Sequence, residues 1–66
     1  MNTYYKWAAA IHVLELMAKK DNSITDEIFD SCITQMACAE YSASLYPNLS
    51  RLLGEEQAMV ICQILF

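Results

Sequence analysis

The sequence predicts an all-α domain, and three observations carry that prediction. Glycine and proline each occur once, as Gly54 and Pro47, so the chain has little of the punctuation that breaks elements and builds turns. No segment sustains the two-residue alternation of a half-buried strand. The stretches between loops are rich in Ala, Leu, Met, Lys and Glu, which are good helix formers. Sixty-six residues leave room for one domain, spanning 1–66.

The first helix is expected from about Thr3 to Lys20, and Asp21-Asn22-Ser23 reads as a loop. Thr25 is placed to cap a second helix, with Asp26 and Glu27 in the first turn, where the helix dipole favours negative charge. That helix is expected to run to about Leu45 and to stop before Pro47, because the residue preceding a proline disfavours helical backbone. Leu49 to Leu53 reads as a short helical turn ended by Gly54, and Glu55 opens a last helix reaching Phe66. The expectation is a three-helix bundle with one short helical turn before its last helix.

Placing residues at about 100° per position separates the faces. On the first helix Tyr4, Trp7, Ala10, Ile11, Leu14, Met17 and Ala18 share one broad arc, and Tyr5, Ala9, Val13 and Leu16 form a second apolar strip. Only His12, Glu15 and Lys19 make a clearly polar wedge. The second helix is amphipathic, with Ile28, Phe29, Cys32, Ile33, Met36, Ala39 and Ala43 inward. Glu40 falls within that apolar arc; the favoured reading places it at a wet edge where the core thins, with Arg51 as its natural ionic partner. The last helix is apolar almost all round, which is the pattern of a helix buried on every side.

Composition adds a reason for oligomerisation. The apolar fraction is 56% and the charged fraction only 18%, against about 45–50% and 25% in ordinary domains. A chain this small buries only about 60% of its unfolded surface, so some apolar side chains must stay outside a monomer's core. A contiguous patch of that kind marks an interface. A homodimer is expected, sharing the last helix and one strip of the first.

Charge and cysteine usage narrow the function classes. Eight carboxylates against four Lys and Arg give a net charge of −4. Nucleic-acid binders need a basic footprint and anionic membranes repel an acidic chain, so neither is an expected partner. No apolar run reaches the length that spans a bilayer. The opening Met-Asn-Thr-Tyr-Tyr-Lys-Trp lacks the basic start and cleavage site of a secretory signal. With three cysteines, an odd number, the expectation is free thiols in the cytoplasm.

Candidate chemistry is sparse. His12 and Glu15 sit three apart on one helical face, as a metal-binding pair would, but no second pair completes a site, and Glu15 also faces Lys19 four residues on. Cys32 and Cys38 lie roughly 120° apart on a helix and cannot converge on one ion. Cys32 and Cys62 read as small core residues and Cys38 as exposed. One His, one Gly and no phosphate-cradling loop leave no catalytic constellation, so no enzyme, metal or cofactor is expected.

The remaining signal is a surface. Tyr4, Tyr5, Trp7, Tyr41 and Tyr46 lie near two helix ends expected to adjoin, and Tyr and Trp dominate interface hot spots. Asp26, Glu27 and Asp30 form an acidic set suited to a basic protein surface, and Glu40 is a further contact candidate. The functional expectation is a small protein-binding module that inhibits or adapts a partner by occupying its surface, with a phage- or plasmid-type inhibitor of host machinery as one instance. The alternative is a structural subunit of a homo- or hetero-oligomer with no activity of its own.

Overall fold

The computed structural model describes residues 3–66, folded into α1 (Thr3–Lys20), α2 (Asp26–Cys38), α3 (Ser42–Leu53) and α4 (Glu55–Leu65), with no strand among them. The fold is all-helical as expected, with four helices in place of three and a short turn. Four of the expected boundaries hold: both ends of α1, the start of α2, and the start of α4 after Gly54.

Each of those boundaries has a local cause. The Thr25 hydroxyl accepts from the Ile28 amide at 3.2 Å, satisfying one donor of the first turn of α2. Ahead of it Asp21 organises the loop. Its Oδ1 accepts from the Ser23 amide at 3.0 Å and the Ser23 hydroxyl at 2.6 Å, and its carbonyl accepts from the Ile24 amide at 3.0 Å. Ile24, just outside the helix, turns into the core. At the other corner Gly54 alone joins α3 to α4. Its φ of 87° and ψ of 159° lie where only glycine is comfortable, and its amide closes α3 by donating to the Ser50 carbonyl at 2.9 Å.

The second expected helix is two helices. α2 ends at Cys38, Ala39 is extended (φ −81°, ψ 136°), and Tyr41 is extended again before α3 begins. Pro47 then sits inside α3, six residues in, and does not stop it. The ring removes the amide that the Ala43 carbonyl would have accepted from and crowds that carbonyl, and Ala43 is an exposed residue in the first turn of α3. Leu49–Leu53, expected as an isolated turn, is the second half of α3. The physical reason for the break at 39–41 lies in burial. A single rod from Asp26 onward would carry Leu45, Leu49 and Leu53 away from the body, whereas folding back buries all three at 6% exposure or less.

The helices form an antiparallel ring in which α1 neighbours α2 and α4, α3 neighbours α2 and α4, and no diagonal pair touches among the described residues. Gln57 Nε2 donates to Asp21 Oδ2 at 3.1 Å, tying the start of α4 to the end of α1. Asn48 Nδ2 donates to Gln35 Oε1 at 2.9 Å, tying α3 to α2. The body measures 34 × 21 × 18 Å, so its two short dimensions each hold about two helix diameters. Ala10, Leu14, Cys32, Leu45, Leu49, Ala58 and Ile61 are fully enclosed at the centre.

α4 corrects a second expectation. It is apolar all round, yet only Ala58, Ile61 and Cys62 are buried, while Met59, Val60 and Phe66 are 50%, 42% and 53% exposed. The additional helix α3 packs against one side of it. Leu16, in the second strip of α1, is likewise 44% exposed. Glu40 lies in the bend and is exposed, the wet-edge reading. Arg51 does not need it: the guanidinium donates to Asn48 Oδ1, completing a Gln35–Asn48–Arg51 chain across the α2–α3 contact.

Candidate partner-binding surface

The two ends of the ring differ in chemistry. Because neighbouring helices run antiparallel, the N-terminal turn of α1, the α2–α3 bend and the C-terminus of α4 meet at one end. There Tyr4, Lys6, Trp7, Met36, Ala37, Ala39, Leu65 and Phe66 line an open hollow of about 490 Å³. Tyr4 is 75% exposed and Tyr5 67%, their rings 6.1 Å apart and edge-on at 62°. Tyr41, in the bend, is 67% exposed. The opposite end collects the α1–α2 loop, the start of α2 and the α3–α4 corner, and with them Asp21, Asp26, Glu27, Glu55 and Glu56.

The expected contact residues therefore fall into three places. Tyr4 and Trp7 share the aromatic hollow, with Tyr5, Glu40 and Tyr41 around the same end. Asp26 lines a separate hollow of about 400 Å³ with Glu15, Ala18, Lys19 and Phe29, between α1 and α2 at the acidic end. Glu27 and Asp30 are exposed beside it on α2. Tyr46 belongs to neither: it is half-buried in a third hollow, between α3 and α4, with Ser42, Pro47, Met59 and Gln63. Sequence reasoning missed Lys6, Met36, Ala37, Leu65 and Phe66 as lining residues. The flanking of Lys6 by Tyr5 and Trp7 was the available signal for the first; Phe66 was hidden by reading the last helix as wholly buried.

Little nucleophilic or ligating chemistry accompanies these surfaces. His12 and Glu15 are exposed, and among the described residues no three His, Cys, Asp or Glu side chains gather as a metal-binding group. Burial pushes the Cys32 thiol up to about 11. Cys62 is raised by the same cause, opposed by a hydrogen bond from Ser42. Cys38 is exposed. Asp21 is held below the ordinary carboxylate value, first by the Ser23 hydroxyl, then by the Ser23 amide and by Gln57. No described helix is long and apolar enough to cross a membrane. No family model, curated protein or solved structure matches the chain.

Proposed function

We propose that this chain is a protein-binding module, an inhibitor or adaptor that works by occupying a surface of its partner. One observation carries the reading: Tyr4, Tyr5, Tyr41 and Phe66, each more than half exposed, stand together with Trp7 at one end of the bundle. Aromatic side chains left in water at one place supply large contact area at low entropic cost on binding. The net charge of −4 supports a protein partner over nucleic acid or an anionic membrane, and the acidic end supports a basic patch on that partner. Free thiols favour the cytoplasm as its setting.

A second copy of the chain is a further reading that a separate observation favours. Leu16 of α1 with Met59 and Val60 of α4 remains exposed away from the aromatic end. Burying these side chains against a second copy would give the homodimer expected from composition, or the subunit contact of a larger assembly.

The test is capture with the purified chain and a Tyr4→Ser/Tyr41→Ser variant, read by mass spectrometry, with circular dichroism to show equal helicity. A saturable protein partner retained by the parent and lost by the variant supports the module. Equal capture by both, or none by either, ends that reading. Light scattering across a dilution series decides the second copy: a helical monomer at every concentration removes the homodimer.

A further inference from the structure

The ring of helices is not evenly closed. α3 packs closely on α4 and α1 on α4, but α1 and α2 meet only sparsely. The aromatic hollow and the Ala18–Phe29 hollow are both lined by residues of α1 and α2, one toward each end of the bundle, the first also by Leu65 and Phe66. Along α1, Ile11 shares the angular position of Tyr4 and Ala18; along α2, Ile33 shares that of Phe29 and Ala37. Both isoleucines are only partly buried. Trp7 and Ala18 are three helical turns apart, roughly 16 Å along α1.

We infer that this seam receives one amphipathic α-helix of a partner protein, which lies between α1 and α2 and completes the open side of the bundle. The inference rests on the protein-binding reading and names the surface and the partner element. A groove walled by two helices and floored by apolar side chains is the shape that accepts the apolar face of a third. Its charges set the partner's chemistry and direction. Among the described residues Lys6 is the only charged one lining the aromatic hollow, so that end takes a carboxylate. Glu15 and Asp26 outnumber Lys19 in the other hollow, so that end takes a Lys or Arg together with the positive N-terminus of the docked helix. The partner helix therefore runs parallel to α2.

The probe is a synthetic 18-residue amphipathic helix with Leu at every third or fourth position, Lys in its first turn and Glu in its last, compared with its charge-swapped twin. Trp7 is the only tryptophan and lines the groove, so its emission reports occupancy directly. The matched peptide is expected to shift that emission to the blue and to bind about tenfold more tightly than its twin, with the preference inverted in Lys6→Glu. Ala37→Arg, an exposed groove position, is expected to weaken binding about tenfold or more at unchanged helicity. Equal affinity for the twins, no binding by either up to about 1 mM, or an Ala37→Arg variant that binds as the parent does would each overturn the groove. So would a dimer in solution that Ala37→Arg dissociates, since a second copy would then occupy it. If the groove fails while the tyrosine-dependent capture persists, the protein-binding reading stands and only its surface is wrong; if both fail, the reading fails with it.

Discussion

The α3–α4 pair and the α1–α2 pair are both antiparallel hairpins of helices, yet one is closed and the other open. A single residue, Gly54, joins α3 to α4, the two helices pack closely, and Leu49, Leu53, Ala58 and Ile61 on either side of the corner are all buried. The five-residue link from Asp21 to Thr25 is better hydrogen-bonded, but its bonds are local to the loop and to Gln57 of α4. A well-made loop stabilises the start of α2 without pressing α2 against α1. Closure comes from apolar faces and from the shortness of the connection, and hydrogen bonds in a turn do not substitute for either.

The largest expected effect separates the two pairs. Leu49→Ala, at a fully buried position of α3, should cost about 3 kcal/mol of stability in urea unfolding, within the usual range for a buried leucine. Ile33→Ala, at the partly buried seam, should cost no more than about half as much, since its side chain is only partly buried. Equal losses would mean that the α1–α2 side is as tightly packed as the other.

Gly54→Ala comes next. Nothing lies within 4 Å of the added carbon, so the cost is backbone strain alone, about 1–3 kcal/mol. A variant as stable as the parent would show that the corner relaxes. On the open side, Thr25→Ala should cost about 1 kcal/mol by removing the cap, measurable as reduced protection of the first-turn amides of α2 from hydrogen exchange.

Acid should loosen the same loop. The folded Asp21 carboxyl is harder to protonate than the unfolded one. Its contribution is therefore complete above the ordinary carboxylate pKa of about 4 and fades as pH falls below it. Asp21→Asn should flatten that part of the pH profile, and an unchanged profile would remove Asp21 as its source.

The thiols sharpen the comparison at smaller cost. Cys38 should react with a thiol reagent in the native state, while Cys32 and Cys62 wait for unfolding. Stability should also decline as pH rises from about 8.5 toward the Cys32 value of about 11, because unfolded thiols ionise first. The smallest effect is Ser50→Ala. The Ser50 hydroxyl is enclosed without a hydrogen-bond partner, so removing it should be neutral or stabilising by up to about 1 kcal/mol. A clear loss of stability would reveal a partner, such as a bound water.

Residues acting on their immediate neighbours were legible in advance. Thr25 with Asp26 and Glu27, Gly54 after Leu53, and the helix formers of Thr3–Lys20 each signal through bonds or backbone preferences within one turn. Burial at positions with one consistent face, such as Leu14, Cys32 and Met36, was legible for the same reason, since helical periodicity alone selects that face. Pro47 was misread because the rule for proline is a finite penalty of about 3 kcal/mol or more, and the burial of Leu45, Leu49 and Leu53 outweighs it. The break at Ala39–Tyr41 had no local signal at all: Ala, Glu and Tyr are ordinary helix residues there.

The candidate surface divides along the same line. The sequence by itself determined that aromatic side chains sit at helix ends, that carboxylates open α2 and α4, and that apolar surface exceeds what a small core can hide. Only the tertiary structure decided that Trp7, Met36 and Phe66 line one hollow, that Tyr46 faces elsewhere, and that α1 and α2 meet only sparsely. Those facts depend on the direction in which each helix leaves its turn and on which faces compete for the same interior. Contacts between residues dozens of positions apart are settled by the packing of whole helices, a property that no single segment of the chain encodes.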